Sequence, residues 1–355
     1  MEKEQTTVML GAQKVLAQVR KAVVGKDEVL LWTMAAILAG GHILLEDIPG
    51  VGKTTMALAF SRALGLSHNR VQFTPDVLPS DVTGYSVIDQ QTGNLSYRPG
   101  AVLCNLFLAD ELNRATSRTQ SALLEAMEEG QVTVDGVSHK LPSPFMVIAT
   151  QNPTGAAGTQ LLPDSQIDRF MLRLSLGYPA PGDEVTMLLQ RQQGREPLKQ
   201  VENVVDADGL NELRRQVSLT HMDDQIADYI VRLVAATRTA ARILRGASPR
   251  ATLSVAALSK AVAQLQGRDY VVPKDVQEAF VITQAHRLEM APGAIGQGMT
   301  PQEILEAILS KIPAFSYSGC CSITGTKDSR TSFTAWWNSF SPGFLAMRSA
   351  MKPFT

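Results

Sequence analysis

The chain is poor in the features that would mark most functional classes at a glance. Of its 355 residues only three are cysteine, and the formal net charge is -1. Cys104 and the adjacent Cys320-Cys321 form neither a disulfide framework nor a metal-ligand spacing, so a reducing cytoplasmic setting is expected. A charge this close to zero provides no global field for nucleic acid or an anionic membrane, and no stable nucleic-acid partner is expected. The most apolar stretch, 29–45, is interrupted by Gly40-Gly41-His42. It falls short of the roughly 20 apolar residues of a bilayer-spanning helix, so a buried helix followed by a buried strand is the reading and no membrane span is expected. Met1-Glu2-Lys3-Glu4 is charged with no apolar core behind it, which argues against a secretory signal. The histidines show no i,i+4 pair and no cysteine companion, which argues against zinc. No G-x-S-x-G elbow, helix-turn-helix or zinc-finger pattern appears.

What is present is an alternation of periods. Residues 10–22 and 26–39 have apolar positions at helical spacing, and 54–64 reads as a third helix. Between and after them come short runs, apolar nearly throughout: 43–45, 70–73, 105–109, 145–149 and 172–176. Such runs separated by helices indicate strands buried on both faces of a parallel sheet, an α/β architecture. Two insertions interrupt it. One carries a Thr92-Gly93-Asn94 turn between strand-like flanks. The other carries Asp135-Gly136, a strong two-residue hairpin signal.

Pro179-Ala180-Pro181-Gly182 marks the best domain boundary, and the chain then reads as helix to about Lys311. Ile226, Tyr229, Ile230, Leu233, Val234 and Thr237 share one helix face, and Val255, Leu258, Val262 and Leu265 share another. Ser248-Pro249 and Val272-Pro273 are helix starts, and Thr300-Pro301-Gln302-Glu303 fits a capping box. The expected division is therefore 1–178, an α/β core with an N-terminal helix and two hairpins, then 179–312, a helical domain. Residues 313–355 change character and are expected to be a poorly ordered tail.

The chemistry sits at strand ends. Pro49-Gly50-Val51-Gly52-Lys53-Thr54-Thr55 follows a strand and opens a helix. Two glycines permit a tight loop, the helix N-terminus attracts anions, Lys53 reaches phosphates and the Thr54 hydroxyl suits Mg²⁺. Asp47 stands where the usual pattern has a glycine, and a carboxylate there has to turn away from phosphate. Asp110-Glu111 closes a buried strand, where ligands gather in open α/β sheets. Asp110 suits Mg²⁺ and Glu111 suits activation of a water. Asn152 ends another buried strand and suits a phosphate or water contact, or else a turn before Pro153. Arg169 suits developing phosphoryl charge, with a salt bridge to Asp168 or Asp164 as the competing explanation. Arg250, in the first turn of a helix, opposes the macrodipole. That placement points to an external anion or to a tolerated surface arginine.

Together with Val23-Val24-Gly25-Lys26-Asp27-Glu28, Gly41-His42-Ile43-Leu44-Leu45-Glu46, Leu108-Ala109-Asp110-Glu111-Leu112-Asn113-Arg114-Ala115, Ala149-Thr150-Gln151-Asn152-Pro153 and Gly246-Ala247-Ser248-Pro249-Arg250-Ala251, these residues resemble the MoxR family of AAA+ ATPases. The resemblance runs from about residue 10 to 312. It implies a P-loop αβα sandwich with a parallel five-stranded sheet, followed by an all-α lid, with ATP and Mg²⁺ as cofactors. On that pattern Pro49, Gly50, Val51, Gly52, Lys53, Thr54 and Thr55 bind nucleotide, and Val24 and Gly25 line the adenine pocket. Thr54 and Asp110 hold the metal, and Glu111 is catalytic. Asn152 matches sensor 1, Arg250 sensor 2, and Arg169 the arginine finger that serves a neighbouring subunit. The hairpins match insertions that face the ring's pore or substrate. The implied activity is ATP hydrolysis by a ring, expected to be a hexamer, that remodels a client protein; such clients often carry a von Willebrand A domain. A nucleic-acid motor of the same clade is the alternative, as is a nucleotide-gated scaffold with little turnover. The tail does not resemble the family's short ending. A shifted reading frame or foreign end would explain it, and a partner-binding extension is the other option.

Overall fold

The computed structural model describes residues 6–48, 50–89, 94–152, 162–194 and 196–314. The expectations for Met1-Glu2-Lys3-Glu4, Pro49, the Thr92-Gly93 turn, Pro153 and the tail beyond Ala314 lie outside the described residues. In chain order the strands are β1 (Ile43–Glu46), β2 (His68–Gln72), β3 (Gly84–Ile88), β4 (Leu95–Pro99), β5 (Leu106–Asp110), β6 (Gln131–Val134), β7 (Val137–Lys140), β8 (Met146–Gln151), β9 (Leu172–Leu174), β10 (Ile243–Arg245) and β11 (Glu289–Met290).

Five of them form one parallel sheet in the order β2-β5-β8-β1-β9. Every residue of β5 and β8 is buried, which is why both read as unbroken apolar runs. β2 lies at an edge and is largely exposed, so its polar start, His68-Asn69, carries no apolar signal. The strand begins two residues before the expected 70, for that reason. β8 lies between β1 and β5, with Glu46 opposite Gln151 and Ala109 opposite Ala149. The C-terminal ends of the phosphate-loop strand, the Asn152 strand and the acidic strand therefore stand side by side at one rim of the sheet.

Both insertions are antiparallel hairpins, β3 with β4 and β6 with β7. Asp135 (φ 50°) and Gly136 (φ 78°) both take the left-handed conformation of a primed turn. The hairpins also touch each other: the rings of Tyr97 and His139 stack at 3.6 Å with an interplanar angle of 11°.

Helices follow β9. The expected faces are buried in Asp224–Thr239 and Pro249–Leu265, Ser248 caps the latter by accepting from the Ala251 amide, and the Thr300–Glu303 capping box is formed. Two features of this region carry no sequence signal. A short antiparallel ladder, β10 with β11, sits among the helices; its strands are too short to alternate visibly. The helix Pro181–Gln192 buries no residue, leaving Val185, Met187, Leu188 and Leu189 exposed.

Candidate nucleotide site

The phosphate loop is shaped by torsion rather than by space. Gly50 and Gly52 have φ of 89° and 97°, yet a Cβ on either would meet no atom within 4 Å. Only the positive φ demands glycine there. Gly52 is the N-cap of the helix Lys53–Ala63 and supplies no side-chain cap, so the helix presents first-turn N–H groups to an anion. Val51, Thr54 and Thr55 are half-buried beside it. The Lys53 ammonium donates to the Asp47 carbonyl at 2.6 Å and the Ile48 carbonyl at 3.3 Å. Burial lowers its pKa below the usual lysine value, and the charges of Asp47, Asp110 and Glu111 oppose that shift.

Asp47 turns away, as its position requires. Its buried carboxylate accepts from Ser175 Oγ at 2.8 Å, the Leu176 amide at 2.5 Å and the Gly177 amide at 3.0 Å. The acid that departs from the usual loop pattern thus binds the exit of β1 to the exit of β9.

At the acidic strand, Asp110 Oδ2 accepts from Arg70 Nε at 2.6 Å and lies 3.4 Å from Thr54 Oγ1, while Oδ1 accepts from Thr150 Oγ1 at 3.3 Å. A hydroxyl and a carboxylate converging in this way are hard oxygen donors, and Thr54 with Asp110 fits Mg²⁺. Glu111 adopts a left-handed backbone, φ 54° and ψ 46°, uncommon for a residue with a long side chain. Thr150 Oγ1 steadies that conformation by accepting the Glu111 N–H at 2.9 Å. The Glu111 carboxylate accepts from Arg114 Nη1 at 2.8 Å and Asn152 Nδ2 at 3.2 Å. Arg114 foremost, with Asn152 and Gln72, holds Glu111 below the usual carboxylate range against a desolvation that pushes the other way. Lys53, Thr54, Asp110, Glu111 and Asn152 thus gather at one rim, as the sequence pattern suggested. Gly25, at φ 71°, lies so close to the Asp183 carboxylate that a Cβ would collide with it, which brings Val24-Gly25 against the start of the helix Pro181–Gln192.

Arg169 and Arg250 are paired elsewhere. Neither competing acid takes Arg169: Asp164 pairs with Arg245, and Asp168 pairs with Arg287. Instead Arg169 Nη2 lies 3.2 Å from Glu128 Oε2, and Arg250 Nη2 pairs with Glu128 Oε1. Glu128 belongs to the helix Ser117–Glu129 and had no signal in the sequence. Arg70 and Arg114 were also missed, although Arg114 stands at i+3 from Glu111, a spacing at which side chains meet.

Comparison with known proteins places this geometry among relatives. Residues 42–172 match the "ATPase family associated with various cellular activities (AAA)", and residues 235–308 match the "AAA lid domain". The chain is 43% identical over 299 residues to the uncharacterised protein YeaC of Bacillus subtilis, covering 84% of this chain and 93% of that one. It is 35% identical over 309 residues to Chaperone MoxR1 of Mycobacterium tuberculosis, covering 84% and 81%. A solved structure of a candidate ATPase from Cytophaga hutchinsonii superposes with a TM-score of 0.80 at 36% identity, covering 87% of this chain and 96% of that one.

Proposed function

The chain belongs to the MoxR family of AAA+ ATPases, and from that premise we propose that it is a Mg²⁺-dependent ATP hydrolase. Residues 1–178 act as the nucleotide-binding core and 179–312 as its lid. Glu111 carries this reading. A carboxylate kept ionised by Arg114, aimed by Asn152, and set beside a Thr54–Asp110 pair at a bare helix N-terminus has the equipment to activate water.

In this reading the amides of residues 50–55 cradle the phosphates, and Lys53 exchanges its two carbonyl partners for phosphate oxygens. Val24 and Gly25 flank the adenine. Thr54 and Asp110 would hold Mg²⁺, and the ion would supply neutralisation of developing phosphoryl charge. Asn152 keeps the Glu111 carboxylate, and the water it orients, in line with the terminal phosphorus. Glu111 withdraws the proton as that water attacks. Arg169 and Arg250 stabilise phosphoryl charge, Arg169 on behalf of an adjoining subunit. The protein works as a ring, expected to be hexameric, in the cytoplasm and acts as a chaperone on a client protein. The relative named Chaperone MoxR1 supports that role, and a client with a von Willebrand A domain is the expected class.

Phosphate release from Mg-ATP by the full chain and by Glu111→Gln tests the assignment. The variant should bind ATP as tightly as the unaltered protein while turnover falls by about 10²–10⁴, the usual contribution of a positioned base. Unchanged turnover by Glu111→Gln would sink it.

A further inference from the structure

Arg287 is the most deeply engaged cation at the boundary between the sheet and the helices. Its side chain is only 2% exposed. Nε donates to Asp168 Oδ1 at 2.9 Å, and Nη1 to the Thr283 carbonyl at 2.5 Å. Nη2 reaches the Asp168 carbonyl at 3.1 Å, the Phe170 carbonyl at 2.8 Å and Ser254 Oγ at 3.2 Å. A guanidinium is buried only with such a set of partners. Two of these carbonyls belong to the residues on either side of Arg169, so the backbone at Arg169 is gripped from both flanks. His286 adds a second hold, 3.1 Å from Nε2 to the Phe170 carbonyl.

The other oxygen of Asp168 accepts from Ser248 Oγ at 2.8 Å. Ser248 is also the N-cap of Pro249–Leu265, the helix whose first turn carries Arg250. One ion pair, a buried guanidinium on a half-buried carboxylate, therefore fixes the segment of Arg169 and the helix start of Arg250 relative to each other. The two arginines then close on different oxygens of a single carboxylate, Glu128. An interdomain tie alone would not require that. Two guanidinium groups thus place one nitrogen each on the two oxygens of one anion, the charge-assisted pairing that suits a carboxylate or phosphate.

We infer that Asp168 and Arg287 are positioning residues that hold Arg169 and Arg250 together as one anion-binding unit, with Glu128 as its resident anion. The inference rests on the proposal that Arg169 acts on phosphate, and it adds the residues that aim it. Neither Asp168 nor Arg287 touches substrate.

A double-mutant cycle on ATP turnover with Arg287→Lys and Arg169→Ala tests this, with ATP affinity and thermal melting measured in parallel. Arg287→Lys keeps a cation but loses the fork. Its kcat should fall by about tenfold to a hundredfold, as small misplacements of a catalytic group do, with KM within about twofold. The double variant should lose clearly less than the product of the two single losses, because Arg287 acts through Arg169 together with Arg250. If the two losses multiply, Arg287 is merely structural and the inference is overturned. If Arg169→Ala and Arg250→Ala both hydrolyse ATP at the unaltered rate, the underlying reading of those arginines fails instead. Should Arg287→Lys not fold, the cycle of Ser248→Ala with Arg250→Ala decides on the same criterion, non-additive losses supporting the inference and multiplied losses overturning it.

Discussion

The phosphate-loop rim and the arginine cluster differ in how far their charges are already committed. At the loop, Lys53 donates to neutral carbonyls and Thr54 makes only a long contact with Asp110. On the proposed function, a triphosphate arriving there would displace only the uncharged partners of Lys53. At the cluster, Arg169 and Arg250 hold a carboxylate, and Arg287 holds another. A phosphate reaching Arg169 has to replace an ion pair that is about a third exposed on both sides, a pair of small net value in water. Arg287, by contrast, is not for exchange. The charges thus fall into three layers of commitment: receptive at the loop, replaceable at Arg169 and Arg250, fixed at Arg287.

The largest effect should separate the first two layers. Arg169→Ala is expected to lower kcat by about 10³ or more, the scale of an arginine finger, without weakening ATP binding. Titration with ATP alongside turnover measures both, and a matching loss of affinity would erase the distinction between the regions. Next comes Asp47→Gly, which restores the commoner loop pattern but strands three donors at Ser175, Leu176 and Gly177. Chemical denaturation should show a loss of about 3 kcal/mol, since buried donors left unpaired are costly. No loss would mean that Asp47 is not structural.

His42 sits between β8 and the helix that carries Glu128. Its Nδ1 accepts from the Val147 amide at 3.0 Å, and Nε2 faces the Met127 carbonyl at 3.1 Å, next to Glu128. Burial lowers its pKa from 6.5 to about 4, so the folded protein refuses a proton that the unfolded chain accepts below pH 6.5. Stability is therefore lost as pH falls from about 6.5 toward 4. Between pH 7 and pH 5 the His42 share is about 2 kcal/mol, and His42→Gln should flatten the slope in denaturation series by that amount. An unchanged slope would show that His42 is not the group responsible. The smallest effect is at Arg114. Arg114→Met should cost kcat about tenfold, as loss of a charged hydrogen bond does. Because Arg114 is the main cause of the lowered Glu111 pKa, the acid limb of the rate profile should also move to higher pH. A fixed limb would detach Arg114 from Glu111.

Much of the loop rim was legible because it is local. Gly50 and Gly52 announce positive φ, and Asp110 and Asn152 each end a run apolar enough to be recognised as buried. Their meeting follows from strand order. The cluster was far less legible. Glu128 sits in an acidic helix end, Glu128-Glu129, that reads as a solvated face, and Arg287 follows a helix with nothing nearby to mark it. Asp168 lies next to Arg169 in sequence, so the short-range pairing looked natural. In the structure its carboxylate is taken by a residue 119 positions away. Long-range ion pairs leave no periodicity to detect, and the two-stranded ladder β10–β11 escaped for the same reason.

The three bonds on Asp47 also bind the segment after β9 to the residues that enter the phosphate loop. Through Gly177 the exit of β9 is hydrogen-bonded to Asp47, at the exit of β1. The next span, Tyr178-Pro179-Ala180, is held by Lys26 donating to the Tyr178 carbonyl at 2.7 Å and by the Asp183 and Glu184 amides donating to the Ala180 carbonyl. Three residues therefore separate the anchor of the phosphate loop from the helix Pro181–Gln192.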